Sequence, residues 1–293
     1  MMAATPPATY APAPEAVSLD AAFVRARTSA RAAARPEAVL ADPSASIPAK
    51  LDALNALQDR IPGLPRAPQA AALNALADAA GPAQPPQVRA LALTLLGESV
   101  PPVLDADARA RAVLVLLDAL KEPDYRLFAL RGLGPASHGL TPAMEPVYES
   151  ALLDLLDGPA AGEERETALV ALNGFVSGGL DFAQRAPQLL TVLEARLQAP
   201  IAADPAAFVR DPRWTPDSRE LAAAILWLAS RRQEEAGDSA PTARFKALMI
   251  RLIAVDPDAA ARAWYASYRD APPPKPGFTA STTSRPSDGR DEP

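Results

Sequence analysis

The chain has 293 residues, 33 of them Pro, one His and no Cys, and a net charge of −6. These counts exclude a disulfide framework, cysteine-ligated metal, haem or iron–sulfur centres, and a multi-histidine metal site. With 67 Ala and 37 Leu, it is also too poor in β-branched and aromatic residues for a large sheet.

In chain order, residues 1–17 are rich in Pro and Ala and lack a basic stretch followed by an apolar core, so they read as a flexible lead and not a secretory signal. Apolar residues then recur at three- and four-residue steps, which predicts helices over 18–34, 47–60, 67–80, 86–97, 105–121, 123–134, 142–157, 163–177, 182–198, 216–235, 241–254 and 257–269. Pro48, Pro68, Pro86, Pro123, Pro142, Pro216, Pro241 and Pro257 fall at helix starts, where a missing N–H costs nothing. Thr141 and Thr215 supply capping hydroxyls, and Gly81, Gly97, Gly134, Gly158 and Gly237 mark expected stops. Val113 to Leu117 is apolar on all sides, so that stretch is expected to be sandwiched between neighbours. The helical domain spans 18–270, and the aperiodic tail 271–293 is expected to be disordered. No apolar run is long enough for a membrane span, which predicts a soluble, cytoplasmic chain.

The segment Pro86 to Gly97 repeats at Pro123 to Gly134, with Pro, Arg, Ala, Leu, Leu and Gly coinciding. Taking the Arg as an anchor, Ala and Leu follow at +3 and +4 and Leu at +7, which makes one buried helix face. The anchors Lys50, Arg89, Arg126, Arg165 and Arg219 stand 39, 37, 39 and 54 residues apart, and Ala263 and Trp264 fit a last, degenerate copy. The Pro-x-x-Arg-x-x-Ala-Leu-x-x-Leu-Gly stretches at 86–97 and 123–134 resemble the HEAT-repeat family, with weaker copies at 47–58, 162–173 and 216–227. The resemblance covers about residues 47–269 and implies an all-α solenoid of five to six antiparallel helical hairpins. It implies that the recurrent Arg pairs with a nearby acid and braces adjacent repeats. It also implies that partners bind the concave face of the second helices. A tetratricopeptide array fits less well because the period exceeds 34 residues. An irregular bundle is the plainer alternative.

Positions +1, +5 and +8 flank the core face, which nominates Asn55, Thr94, Arg131, Glu166, Asn173, Glu220 and Trp227 as partner-binding residues. Residues 142–171 hold seven acids and one base and carry the whole −6. Two readings stand: a solvated face with dipole-favoured acids, or an acidic patch centred on Glu145 and Glu149 that recruits a basic partner. Arg27, Arg31 and Arg35 form a basic stripe that reads as a solvated cap-helix face. The spacing of 54 places an insertion of about 15 residues near 199–214, where Phe208 and Trp214 either engage a partner or pin the loop to its own repeat. Trp264, Tyr265 and Tyr268 read as a cap on the last repeat.

Chemistry finds little support in the sequence. His138 lies in a polar loop, no glycine-rich phosphate loop precedes a helix, and carboxylate pairs such as Glu163/Glu166 predict nothing without a pocket. Trp214, Asp217 and Trp227 offer the residue types of HEAT-like DNA glycosylases, but the acidic balance and the absence of Lys clusters argue against nucleic acid. Nothing points to the chromophore of HEAT-like tetrapyrrole lyases. The expectation is a non-enzymatic scaffold without cofactor or metal, binding a protein or peptide partner, of which a basic one is one form.

Overall fold

The computed structural model describes residues 36–160, 162–178 and 187–270; the expected helix 18–34, the lead and the tail lie outside them. Among the described residues every regular element is helical. The elements are α1 (Pro36–Ala41), α2 (Ile47–Arg60), α3 (Arg66–Ala79), α4 (Pro86–Ser99), α5 (Ala106–Ala119), α6 (Pro123–Ala136), α7 (Glu145–Asp157) and α8 (Glu163–Val176). There follow α9 (Pro187–Leu193), a π turn (Glu194–Gln198), α10 (Ala199–Ala203), α11 (Pro205–Arg210), α12 (Pro216–Glu235), α13 (Ala240–Val255) and α14 (Ala259–Asp270). The helices pair into six hairpins, whose second helices α2, α4, α6, α8, α12 and α14 pack each on the next. The first helices form a parallel layer behind them, so the molecule is a helical-repeat solenoid.

Most starts obey the sequence chemistry. Ser46, Asp105 and Thr215 accept the N–H three residues on at 3.4, 3.0 and 3.2 Å. Two expected starts move. Pro142 and Pro257 lie in the turns before α7 and α14. Asp258 is the residue that caps α14, accepting from Ala261 N–H at 2.8 Å. Three short helices, α1, α10 and α11, add to those expected from the apolar periodicity. The π turn sits just before Pro200, where the wider ring absorbs a residue that cannot donate.

Gly97 and Gly134 do not stop their helices, which run on to Ser99 and Ala136. Gly97 is there for close packing: a Cβ on it would lie 1.7 Å from the Gly132 carbonyl oxygen, and one on Gly132 would lie 2.4 Å from that of Leu93. Backbones of α4 and α6 therefore touch. A Cβ on Gly174 of α8 would in turn meet Ser137 Oγ at 3.2 Å and the Gly134 carbonyl at 3.6 Å. The first-helix layer is looser here, since α5 and α7 barely touch. A stack compressed on one side and splayed on the other bends toward the compressed side, so the second helices line the inner face. Val113, Leu116 and Leu117 are buried, but Leu114 is 48% exposed, so the apolar stretch in α5 is covered on three sides and not four.

The core is the predicted +3, +4, +7 face. Ala53, Leu54 and Leu57, then Ala92, Leu93 and Leu96, then Ala129, Leu130 and Leu133, then Ala168, Leu169 and Leu172 are all fully buried. Tyr148 of α7 spans the layers. It stacks on Phe175 at 5.3 Å and donates its hydroxyl to the Leu133 carbonyl at 2.8 Å.

Candidate partner-binding face

The anchors sit one turn into each second helix and are turned to structure. Arg89 donates Nε to the Ala80 carbonyl at 3.0 Å and reaches forward to hold Glu122, at the head of the next second helix, with both terminal nitrogens at 2.7 and 2.6 Å. The pair reinforces both charges: the hydrogen bonds raise the Arg89 guanidinium above its ordinary value and hold the Glu122 carboxyl below its own. Arg126 repeats the device with the Leu120 carbonyl and Glu164, Lys50 with Gln84, and Arg219 with Asp256 at 2.9 and 3.1 Å. Tyr265 Oη closes the last network by donating to Asp256 at 3.0 Å. The recurrent cation thus braces repeat against repeat.

Arg262 plays the same part in α14, donating to the Asp256 and Pro257 carbonyls at 2.8 and 2.9 Å. The last copy is therefore anchored on Arg262 with Tyr265 at +3, two residues later than the frame that placed Ala263 and Trp264 there. Tyr265 is fully buried, while Trp264 is half-exposed.

One rung departs from the pattern. Arg165 is fully buried and donates to the Ala160 and Leu156 carbonyls at 2.9 Å, but its forward neighbour is the ring of Trp214, 4.4 Å from the guanidinium carbon. Burial pulls this guanidinium below its ordinary value. Trp214 also packs on Phe208 at 4.8 Å, so the insertion's two aromatics lie on each other and on Arg165 of the preceding hairpin. They leave a cavity of about 220 Å³ open beside Pro200, Ile201, Asp204 and Asp211.

The acidic segment 142–171 divides: Asp154, Asp157 and Glu163 are exposed, and the two glutamates at its head are buried. Glu145 and Glu149 are 5% and 2% exposed, against the expectation of a recruiting surface, because their side of α7 faces the neighbouring helices. Burial pushes the Glu149 carboxyl up to about 8. Asp154 and Asp157 share Arg196 at 2.8 and 2.5 Å, Glu163 holds Arg131 at 2.7 Å, Glu164 holds Arg126, and Glu166 accepts from Thr215 Oγ1 at 2.7 Å. Charge added along the sequence misleads here because arginines from other repeats pair with these acids.

The open side of the second helices carries positions −2, +2, +5 and +9. Position +5 was anticipated: Arg131 is exposed and Thr94 half-buried, with its hydroxyl on the Ala90 carbonyl at 3.3 Å. Asn55 is a correction, since it is 8% exposed and turned back to donate to the Leu51 carbonyl at 2.9 Å. Positions +1 and +8 lean into the gap between repeats, which leaves Glu166, Asn173, Glu220 and Trp227 half-buried. Trp227 stacks on Tyr268 at 5.8 Å, and Trp264 lies 5.6 Å from the same ring. Burial and the nearby Glu220 push the Tyr268 phenol up to about 12. Position +2 supplies Phe128, Thr167, Leu221 and Trp264, each partly buried, while Leu91 at this position is buried in the core. Its signal was the apolar residue recurring two places after the anchor.

Charge on this face is one-sided. Asp52, Asp59, Glu98, Asp124, Glu163 and Asp217 stand on it against Arg131 alone. Among the described residues Arg131 pairs with Glu163, and the other five carboxylates have no ion-pair partner. Also among these residues, no group of three or more His, Cys, Asp and Glu side chains is placed to hold a metal ion, and His138 is an exposed residue of the 3-10 turn Ser137–Gly139, where a loop was expected. No described helix is long and apolar enough to cross a membrane.

No protein-family model matches the chain, and a comparison with curated protein sequences finds none that matches. Two solved structures are similar to it in backbone. One is a designed armadillo repeat protein in complex with the peptide (KR)4, at 15% identity and a TM-score of 0.49, covering 80% of this chain and 98% of that one. The other is an engineered protein at 14% identity and a TM-score of 0.47, covering 80% of this chain and 94% of that one.

Proposed function

We propose that the chain is a non-enzymatic, HEAT-like scaffold of the cytoplasm that holds a protein or peptide segment along the inner face of its second helices. The observation that carries this reading is the continuity of that face. Equivalent side chains at Gln87, Asp124, Glu163 and Asp217, and at Phe128, Thr167 and Leu221, repeat across successive hairpins, giving one continuous surface. The HEAT assignment rests on the anchor Arg and on the spacing of 37–43 residues between most anchors. A nucleic-acid enzyme on this scaffold is disfavoured, because unpaired carboxylates on the face would repel phosphate.

Selection of displayed random peptides on the full-length protein tests the reading. Selected peptides should lose binding to Phe128→Lys/Val170→Lys and keep it with Leu114→Lys on the outer layer. Peptides insensitive to the inner pair, or a mobility shift with duplex DNA at low salt, would overturn it.

A further inference from the structure

Once the cross-repeat pairs are set aside, the inner face keeps four exposed acids with no ion-pair partner among the described residues. Asp59 and Glu98 edge the inner face at the C-terminal ends of α2 and α4, and Asp124 and Asp217 edge it at the N-terminal ends of α6 and α12. Between these rims lie Phe128 and Leu221, each partly buried, and Val170, which is 52% exposed. The far end of the face is aromatic: Trp264 and Tyr268 stack at 5.6 Å and keep part of their surface in solvent, and Glu220 is close enough to act on the Tyr268 phenol. An aromatic face beside a carboxylate favours a cationic side chain. Carboxylate rims with no cation of their own favour a positive chain along their whole length.

Helix stacking supplies a spacing. Packed helices lie about 8–10 Å apart, and an extended polyproline II chain advances about 3.1 Å per residue and returns every third side chain to the same face. A bound segment would therefore pass about three residues per repeat and present side chains to equivalent positions at every third residue.

We infer that the occupant of the inner face is a basic segment of a separate protein, bound in extended form. Lys and Arg side chains would lie against the acidic rims, and an apolar residue at each third position would meet Phe128, Val170 and Leu221. This rests on the binding-scaffold reading above and adds the chemistry of the partner.

The test is fluorescence anisotropy of the full-length protein with labelled peptides of about 15 residues: (Lys-Leu-Arg)5, its charge-reversed counterpart (Glu-Leu-Asp)5, and a shuffled Lys/Leu/Arg peptide of equal composition. The expected result is binding of (Lys-Leu-Arg)5, weakened about tenfold or more between about 50 and 500 mM salt, with about threefold weaker binding of the shuffled peptide and none of the acidic one. Asp124→Lys/Asp217→Lys should weaken binding about tenfold. Asp107→Lys/Asp118→Lys, which changes the net charge equally from the outer layer, should not. Should the first pair impair folding by circular dichroism, Asp52→Asn/Asp124→Asn/Asp217→Asn serves in its place.

Equal weakening by inner and outer pairs, or preference for the acidic peptide, would overturn the inference. So would binding that appears only after Arg27, Arg31 and Arg35 are changed to Glu, since the chain's own segment would then be the occupant. Displayed peptides that bind the inner face but are neutral or acidic would sink this inference and leave the scaffold reading standing. The absence of any inner-face peptide would sink both.

Discussion

The buried and open sides of the same second helices solve different problems. On the buried side Ala and Leu at +3, +4 and +7 are dry, Gly97 and Gly132 let backbones meet, and Arg89, Arg126 and Arg219 are held by carbonyls and by the next repeat. On the open side, two turns of helix away, Asp124 and Asp217 have no cation and Val170 is 52% exposed. The contrast teaches that stability and recognition are separated by helix face and not by repeat. Substitutions on the two faces should therefore differ in kind as well as in size.

The largest effect should come from closing the glycine contact. Gly97→Ala places a methyl 1.7 Å from a carbonyl oxygen of α6, a clash that only a shift of the whole helix relieves. We expect a loss of about 3 kcal/mol or more, read as a lowered urea midpoint. A midpoint within error of the parent would show that α4 and α6 do not meet. Next comes the rung closed by Tyr265. Both Arg219 and Asp256 are almost wholly buried, so Arg219→Met strands a carboxylate and should cost about 3 kcal/mol. Arg89→Met should cost less, about 1 kcal/mol, because Glu122 is 46% exposed and can turn to water. Equal costs would mean that burial does not grade the rungs.

What the sequence disclosed follows the same division. The buried side was legible because its constraints repeat: Arg, then Ala and Leu at fixed offsets, returns the same core face in each hairpin. Where a repeat broke its own rule, legibility failed. Trp214 replaces the acid that Arg165 would otherwise meet, an exchange of chemistry that spacing does not reveal. The last anchor was misread because Arg262 is followed by Tyr265 in place of Ala. Gly97 looked like a stop because a helix-ending glycine and a glycine at a backbone crossing are the same letter in a sequence. The binding residues were half legible. Arg131 and Thr94 followed from helix geometry, but Glu145 and Glu149 were chosen by charge density, which ignores arginines arriving from residues more than 30 positions away.

Glu149 gives a smaller and pH-dependent test. Its carboxyl titrates near 8 in the folded protein and near the ordinary 4.5 when unfolded. With the folded value raised, stability is fully present below about 4.5 and is lost as pH rises through about 8. Glu149→Gln should remove this slope and leave the variant more stable than the parent at pH 9, by on the order of 2 kcal/mol, while matching it near pH 4.5. Parallel melting curves for the two proteins across that range would show that Glu149 does not stay buried as an acid.

The smallest effect on stability should come from the open side, and that smallness sharpens the contrast. Val170 and Asp217 touch water, and nothing in the core depends on their head groups. Val170→Thr should leave the urea midpoint unchanged to within about 0.5 kcal/mol. Asp217→Asn should cost no more than the few tenths lost when an acid leaves the first turn of a helix. If Val170→Thr destabilised the fold as much as Arg89→Met, the face would be packed against something and could not be a free surface. If instead it left stability intact while peptide binding fell, the same residue would separate the two tasks that these helices perform on opposite sides.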